Sequence, residues 1–266
     1  MTGSPNTRRF LPADGRRASG GRVIGARREK MAYTEHDNVA TGVVIPLRTS
    51  DRDVEWREFA RSSRVKYQRL EQHSVVFYEG DKADRVFEVI EGAVMLFKLL
   101  PDGRRQVVDV LGPEDVFGLP RGRDYDCNAE TLSRTTLRVL DRRDAETRTE
   151  VQGHLTRCLT AQVEKLHDHA VLLGRKSAFE RVASFLFRCV PACQQLDCLG
   201  DQRTGGESVI VLNMTRQEIA DYLGLTIETV SRVISEFKRK GLILLEKQDR
   251  IRINNLCGIC RLTGAH

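Results

Sequence analysis

No stretch of the chain approaches the roughly 18 consecutive apolar residues that a membrane-spanning helix requires, and the N-terminus lacks the apolar core of a secretory signal. A membrane or exported protein is therefore not expected, and the cytoplasm is the expected location. A catalytic constellation is missing too. No nucleophile, base and orienting group stand at a recognisable spacing, and there is no phosphate loop. No enzymatic activity, cofactor or metal centre is expected from the residues. Paired cysteine knuckles are also absent. The seven cysteines are Cys127, Cys158, Cys189, Cys193, Cys198, Cys257 and Cys260. They include one CxxC, Cys257-Gly-Ile-Cys260, and one looser trio, Cys189, Cys193 and Cys198. Without a secretory context they read as reduced thiols, small buried or surface groups, with the trio a candidate for oxidation or metal binding.

What is present is the composition of a soluble globular protein of one or two domains: 266 residues, 40% hydrophobic and 30% charged. Residues 1–30 carry Arg8, Arg9, Arg16, Arg17, Arg22, Arg27, Arg28 and Lys30 against only Asp14 and Glu29, so the whole net charge of +6 resides there. This stretch has almost no apolar periodicity and cannot bury enough surface to offset its ordering entropy. It reads as a solvated tail, with a translation start at Met31 or a phosphate-gripping basic arm as alternatives.

Residues 51–62 place Val54, Trp56 and Phe59 among charges, as a short amphipathic helix does. From Val65 to Leu140 the pattern changes to short apolar runs: 74–81, 86–92, 93–100, 105–111 and 135–140. Turn signals separate them, among them Gly80, Gly92, Gly112, Gly118 and the Pro101-Asp102-Gly103 hairpin. That spacing indicates an antiparallel barrel or sandwich. A long helix is expected over 144–173, where Val151, Leu155, Leu159, Val163 or Gln162, Leu166, Ala170 and Leu173 recur every three or four residues. One narrow apolar seam suits pairing with a second copy as a parallel coiled coil, and so a homodimer. The alternative is a helix that packs on its own barrel, with Gln162 and His169 the weak points of the seam. His154 and Cys158 stand at i and i+4 on the same helix, too few to make a metal site.

The sharpest local pattern is NMTRQEIADYLGLTIETVSRVISEFKRKGLILLEKQDRIRIN, residues 213–254. Thr215 with Glu218 forms a capping box that opens a helix over 216–223, its inner face Ile219, Ala220 and Leu223. Gly224 provides a turn, and Thr226 caps a second helix to about Lys240, with Ile227, Val230, Val233, Ile234 and Phe237 inward. Gly241 ends that helix, and two short strands follow as a wing. Two helices joined by a short glycine turn make the helix-turn-helix, whose second helix enters the major groove of double-stranded DNA. Glu228, Thr229, Ser231 and Arg232 occupy its first two turns. Arg232 can donate two hydrogen bonds to guanine, Glu228 can accept from cytosine, and Ser231 can serve either way. A plain i, i+4 ion pair is the simpler account of Glu228 and Arg232 taken alone. Arg216, Thr226, Lys238, Arg239 and Lys240 are the expected phosphate contacts.

The run RQEIADYLGLTIETVSRVISEFKRKGLI, with ERVASFLF at 180–187, resembles the DNA-binding half of the cyclic AMP receptor protein and FNR superfamily, in its FixK and FNR branch. VFYEGDKADRVFEVIEGAVMLFK, the DGRR hairpin and LGPEDVFG resemble its barrel half. The resemblance covers roughly residues 52–256. It implies an α+β fold: an N-terminal antiparallel β-roll of the cyclic-nucleotide-binding, jelly-roll type, a long dimerisation helix and a C-terminal winged helix-turn-helix. The expected division is a basic disordered arm over 1–45, the barrel over 46–143, the dimerisation helix over 144–173, the DNA-binding domain over 174–256 and a tail over 257–266. The resemblance further implies a dimer that reads TTGA-type palindromes, with Arg232 on the guanine and Glu228 on the opposing cytosine, and that activates transcription through RNA polymerase, often of genes for microaerobic or anaerobic metabolism.

Two departures narrow the signal that is sensed. Cyclic-nucleotide members place Glu after Phe-Gly and an Arg-Ser pair on the phosphate. Here Leu119-Pro120 follows Phe117-Gly118, and Cys127-Asn128 stands where Arg-Ser would be, which leaves a buried phosphate without a counter-charge. FNR proteins hold an iron–sulfur cluster with N-terminal cysteines, whereas the first cysteine here is Cys127. FixK-type members lack the cluster. The other readings are a thiol- or metal-responsive regulator using Cys189, Cys193 and Cys198, and a small-molecule-binding barrel whose C-terminal unit is a protein-interaction module.

Overall fold

The computed structural model describes residues 40–41, 54–190, 208–247 and 249–264. Cys193, Cys198 and nearly all of the expected basic arm lie outside the described residues. The first part of the chain runs through strand β1 (Ala40–Thr41), helix α1 (Val54–Ala60) and strands β2 (Lys66–Leu70), β3 (Val75–Phe77), β4 (Arg85–Glu91), β5 (Val94–Leu99), β6 (Arg105–Leu111), β7 (Val116–Phe117), β8 (Asn128–Thr131) and β9 (Thr135–Asp141). Strands β2 to β9 form two antiparallel sheets, ordered β2-β9-β4-β7 and β3-β8-β5-β6. Period-two alternation explains β9, where Thr135, Leu137 and Val139 turn into the barrel while Arg138 takes the opposite face, packed on Trp56 and paired with Glu88. Strand β4 does not alternate because both of its faces are covered. Val86 packs with Trp56, Leu140 and Leu155, whereas Phe87 and Val89 pack inside the barrel with Phe77, Phe117 and Leu137. Strands β5 and β6 meet at the expected hairpin, with Gly103 at φ +83.

The expected single helix is two: α2 (Arg142–Thr147) and α3 (Thr149–Arg175). They part at Arg148, which is extended (φ −98, ψ 121) and ion-paired with both Asp144 and Glu150. Helix α3 does two jobs along its length. Val151 and Leu155 are 0% and 5% exposed within the core formed by Trp56, Phe59 and Val86, so they cannot face a partner helix as expected. Leu159, Val163 and Leu166 are 39%, 47% and 41% exposed, and Ala170 is exposed as well. Gln162, expected as a flaw in the seam, is instead buried, its side-chain amide bonded to both the backbone N–H and the carbonyl of Val116.

The second part comprises α4 (Ala178–Arg188), β10 (Ser208–Val211), α5 (Arg216–Leu223), α6 (Ile227–Arg239), β11 (Ile243–Leu245), β12 (Arg250–Ile253) and α7 (Leu256–Arg261). Its sheet is ordered β1-β10-β12-β11. Two expectations are corrected here. Ala40–Thr41 do not belong to a disordered arm but pair in parallel with Ile210 and Val211. The stretch expected as a tail starts within helix α7, which buries Leu256 and Ile259 in the same core as α4 and α6. No helix among the described residues is long and apolar enough to cross a membrane.

Candidate nucleic-acid interface

Local chemistry sets the geometry of the α5–α6 pair. Thr215 accepts from the Glu218 N–H, and Glu218 Oε2 accepts from the Thr215 N–H at 2.7 Å, which closes the capping box. Gly224 adopts the left-handed conformation (φ 60, ψ 42) that ends α5, a conformation costly for a residue with a Cβ. Thr226 then caps α6 by accepting from the Thr229 N–H. Helix α6 is held by Val230, Val233, Ile234 and Phe237, the last 0% exposed. Ile227, expected inward, is 36% exposed, because the first turn projects beyond the core.

The outer face of α6 presents Glu228, Ser231 and Arg232 to solvent. Thr229 is half-buried, and its hydroxyl is shared with that of Thr226 at 3.1 Å. Hydrogen bonds from its own backbone N–H and from Thr226, with a smaller contribution from the Arg232 charge, hold the Glu228 carboxyl below its usual range. It is therefore an ionised acceptor at neutral pH, beside a guanidinium donor. Among the described residues Arg232 Nε reaches only the Glu228 carbonyl, at 3.4 Å, and the side chain is exposed to solvent. Ser235, one turn further on, shares this face, and its hydroxyl donates to the Ser231 carbonyl at 2.8 Å.

The expected phosphate contacts divide. Lys238 and Arg239 are exposed. Lys240 pairs with Glu236 at 2.9 Å and lies 4.6 Å from the Phe179 ring centre. Arg216 is half-buried, with Nη1 shielded from solvent and without a hydrogen-bond partner among the described residues, and burial lowers its pKa. Arg216 is thus not presented as expected, whereas Lys240 is exposed and its weak surface ion pair leaves the ammonium accessible.

Sequence reasoning missed Arg181. Its guanidinium donates to the carbonyls of Leu173, Lys176 and Leu223, joining the end of α3 to the turn before α6. It also missed the contact of α5 with the barrel, where Arg105 of β6 pairs with Asp221 at 2.7 Å. No local signal links residues 116 positions apart.

A cavity of about 200 Å³ opens between barrel and α3, lined by Phe77, Phe117, Tyr125, Cys127, Asp109, Asp126 and the exposed seam residues Leu159, Val163 and Leu166, among others. Among the described residues two carboxylates and no cationic side chain line it, an arrangement that repels a phosphate. Asn128, at the expected arginine-serine position, is used structurally: it accepts from the Glu79 N–H and donates to the Phe97 carbonyl. Three of the cysteines, Cys127, Cys158 and Cys189, are buried and poorly placed for redox chemistry, whereas Cys257 is exposed. Burial pushes the Cys127, Cys158 and Cys189 thiols up to about 12, and a thiol that stays protonated is a weak nucleophile. His154 Nε2 lies 3.6 Å from Cys158 Sγ. It stacks on Trp56 at 3.9 Å and faces Glu88 at 3.4 Å.

A winged helix-turn-helix carried by a long helix behind an antiparallel barrel defines a DNA-binding regulator with a sensory-type domain. Family comparison agrees. Residues 67–148 match the cyclic nucleotide-binding domain, and residues 180–262 match the Crp-like helix-turn-helix domain. The nitrogen fixation regulation protein FixK of Rhizobium meliloti is 39% identical over 67% of this chain and 78% of its own length. The transcriptional activator protein FnrL of Cereibacter sphaeroides is 34% identical over 78% and 84%. The solved structure of FixK2 from Bradyrhizobium japonicum superposes with a TM-score of 0.63 at 32% identity, covering 76% of this chain and 98% of that one. The chain belongs to the cyclic AMP receptor protein and FNR superfamily of transcription regulators, in its FixK-like branch.

Proposed function

We propose that the protein binds as a homodimer to inverted repeats of TTGA-type half-sites and activates transcription by contacting RNA polymerase, in the cytoplasm, with no enzymatic activity and without cyclic AMP or an iron–sulfur cluster. The observation that carries this reading is the outer face of α6, where Glu228, Ser231 and Arg232 stand exposed on a helix fixed by caps at its start and by a buried core behind. Dimerisation is supported by the bare stripe Leu159, Val163, Leu166 and Ala170 of α3, whose spacing of four, three and four residues is that of a coiled-coil seam, while Leu173, next in that spacing, is half-buried against the protomer's own core. Two copies of α6 would then enter successive major grooves roughly 34 Å apart. Independence from cyclic AMP is supported by the acidic lining of the barrel cavity.

Base-substituted duplexes test the assignment. Arg232→Ala should cost about 1–3 kcal/mol per half-site and relax the preference at the guanine. Replacing Lys238 and Arg239 with Gln should weaken all sequences alike and flatten the salt dependence. Arg232→Ala binding specific and random DNA in the wild-type ratio would remove that residue from base reading.

A further inference from the structure

Three side chains far apart in sequence converge where the barrel meets α5. His73 lies in the turn between β2 and β3, Glu130 in β8, and Glu218 in the first turn of α5. His73 Nδ1 is 3.1 Å from Glu130 Oε1 and 3.8 Å from Glu218 Oε1. One ligand atom from each of the three lies within 4.8 Å of the others.

The arrangement is held from behind. The His73 N–H donates to the Thr131 carbonyl at 2.8 Å. Thr131 Oγ1 accepts from the Ser74 N–H and donates to the Glu71 carbonyl, so the strand that bears Glu130 also fixes the turn that bears His73. The Glu218 side chain is only 5% exposed, and the hydrogen bonds it accepts from Thr215 go to Oε2. Oε1 is left aimed at His73 and Glu130. Among the described residues, His73 is the only cationic partner of either carboxylate. An imidazole supplies at most one positive charge to two carboxylates, one of them buried, and such a pair is costly unless balanced. A dication balances both and uses the imidazole in its neutral form, the commonest protein metal ligand.

We propose that His73, Glu130 and Glu218 bind a first-row transition-metal dication such as Zn2+ or Mn2+, with water completing its shell. One nitrogen and two carboxylate oxygens suit such an ion better than the all-oxygen shells preferred by Ca2+ or Mg2+. His73 is 46% exposed and gives the ion its way in. The ion joins two barrel elements to the first helix of the DNA-reading pair, so its binding biases how that pair is held.

The test uses the full chain, stripped with chelator and kept reduced, titrated with Co2+ as a spectroscopic probe and with Zn2+ by equilibrium dialysis. One equivalent should bind with weak d–d bands and without thiolate charge-transfer absorption. His73→Asn, chosen because asparagine tolerates the positive φ of 59 found there, and Glu130→Gln should each weaken binding ~10-fold or more. Both variants leave the Glu218 capping box intact, so folding should be preserved, which circular dichroism checks. Wild-type affinity in both variants, thiolate bands that place the ion on the cysteines, or no binding by the wild type would each overturn the proposal. Operator binding measured with and without Zn2+ tests the coupling: an affinity shift in the wild type, absent in His73→Asn, supports it, and no shift in the wild type refutes it. Metal uptake is read without DNA, so its failure is separate from any failure of the DNA-binding reading.

Discussion

His169 lies in the seam between α3 and α5, stacked on Tyr222 at 4.2 Å, with neither ring nitrogen hydrogen-bonded among the described residues. Burial, with a smaller push from the Arg188 charge, lowers its pKa to about 4. Near it, burial and then the neighbouring Asp115 raise the Asp109 carboxyl to about 6. These shifts act in opposite directions on stability. Between about pH 4 and 6.5 the unfolded chain binds more protons at His169, so that contribution rises with pH. Between about pH 4 and 6 the folded chain binds more protons at Asp109, so that contribution falls as pH rises. Urea unfolding across this window should show a steeper gain with pH in Asp109→Asn than in the wild type, and a loss with pH in His169→Phe. Equal slopes in all three would contradict the assignment. At this scale the sequence is legible where interactions are local: the Thr215–Glu218 box, Gly224 and the Thr226 cap stand where spacing put them. It is not legible at Arg216, whose burial no local pattern signals.

Helix α3 shows why periodicity alone misplaces a face. Its apolar positions recur without a break, yet the first two turns pack on α1 and the barrel while the later turns offer a bare stripe. Substitutions at the two ends should therefore differ in kind. Leu155→Ala opens a cavity in the protomer core and should cost about 2–5 kcal/mol of stability. Leu159→Glu with Leu166→Glu should leave helicity and melting of the protomer nearly unchanged while shifting sedimentation from dimer to monomer and lowering operator affinity. A double variant that still sediments as a dimer would place the interface elsewhere. The longer strands were legible from alternation and glycine punctuation. Strand β8, Asn128–Thr131, was not, because its sequence NAET has little strand character and pairs only where β3 and β5 flank it. Strands β10 and β1 complete a sheet whose partners lie about 170 residues apart, beyond any local pattern.

Across the whole molecule, barrel and reading unit share one apolar core. Ala93, Met95, Val107 and Leu132 of the barrel side belong to the same cluster as Ile219, Tyr222 and Phe237, with Arg105–Asp221 at its edge. The single tryptophan, Trp56, reports the barrel side, and far-UV circular dichroism is dominated by the helices. If the shared core couples the two parts, both signals should change in one transition, and separated midpoints would show them to be independent. The acidic cavity beside the α3 stripe and the exposed α6 face together define the central claim, selective DNA binding without a cyclic nucleotide. Fluorescence anisotropy of the full chain against a TTGA-N6-TCAA duplex and a scrambled control, with no nucleotide added and then with cyclic AMP, tests it most directly. Tight binding to the palindrome alone, unchanged by cyclic AMP, is the predicted result. Equal binding to both duplexes, or selectivity that emerges only with cyclic AMP, would contradict it.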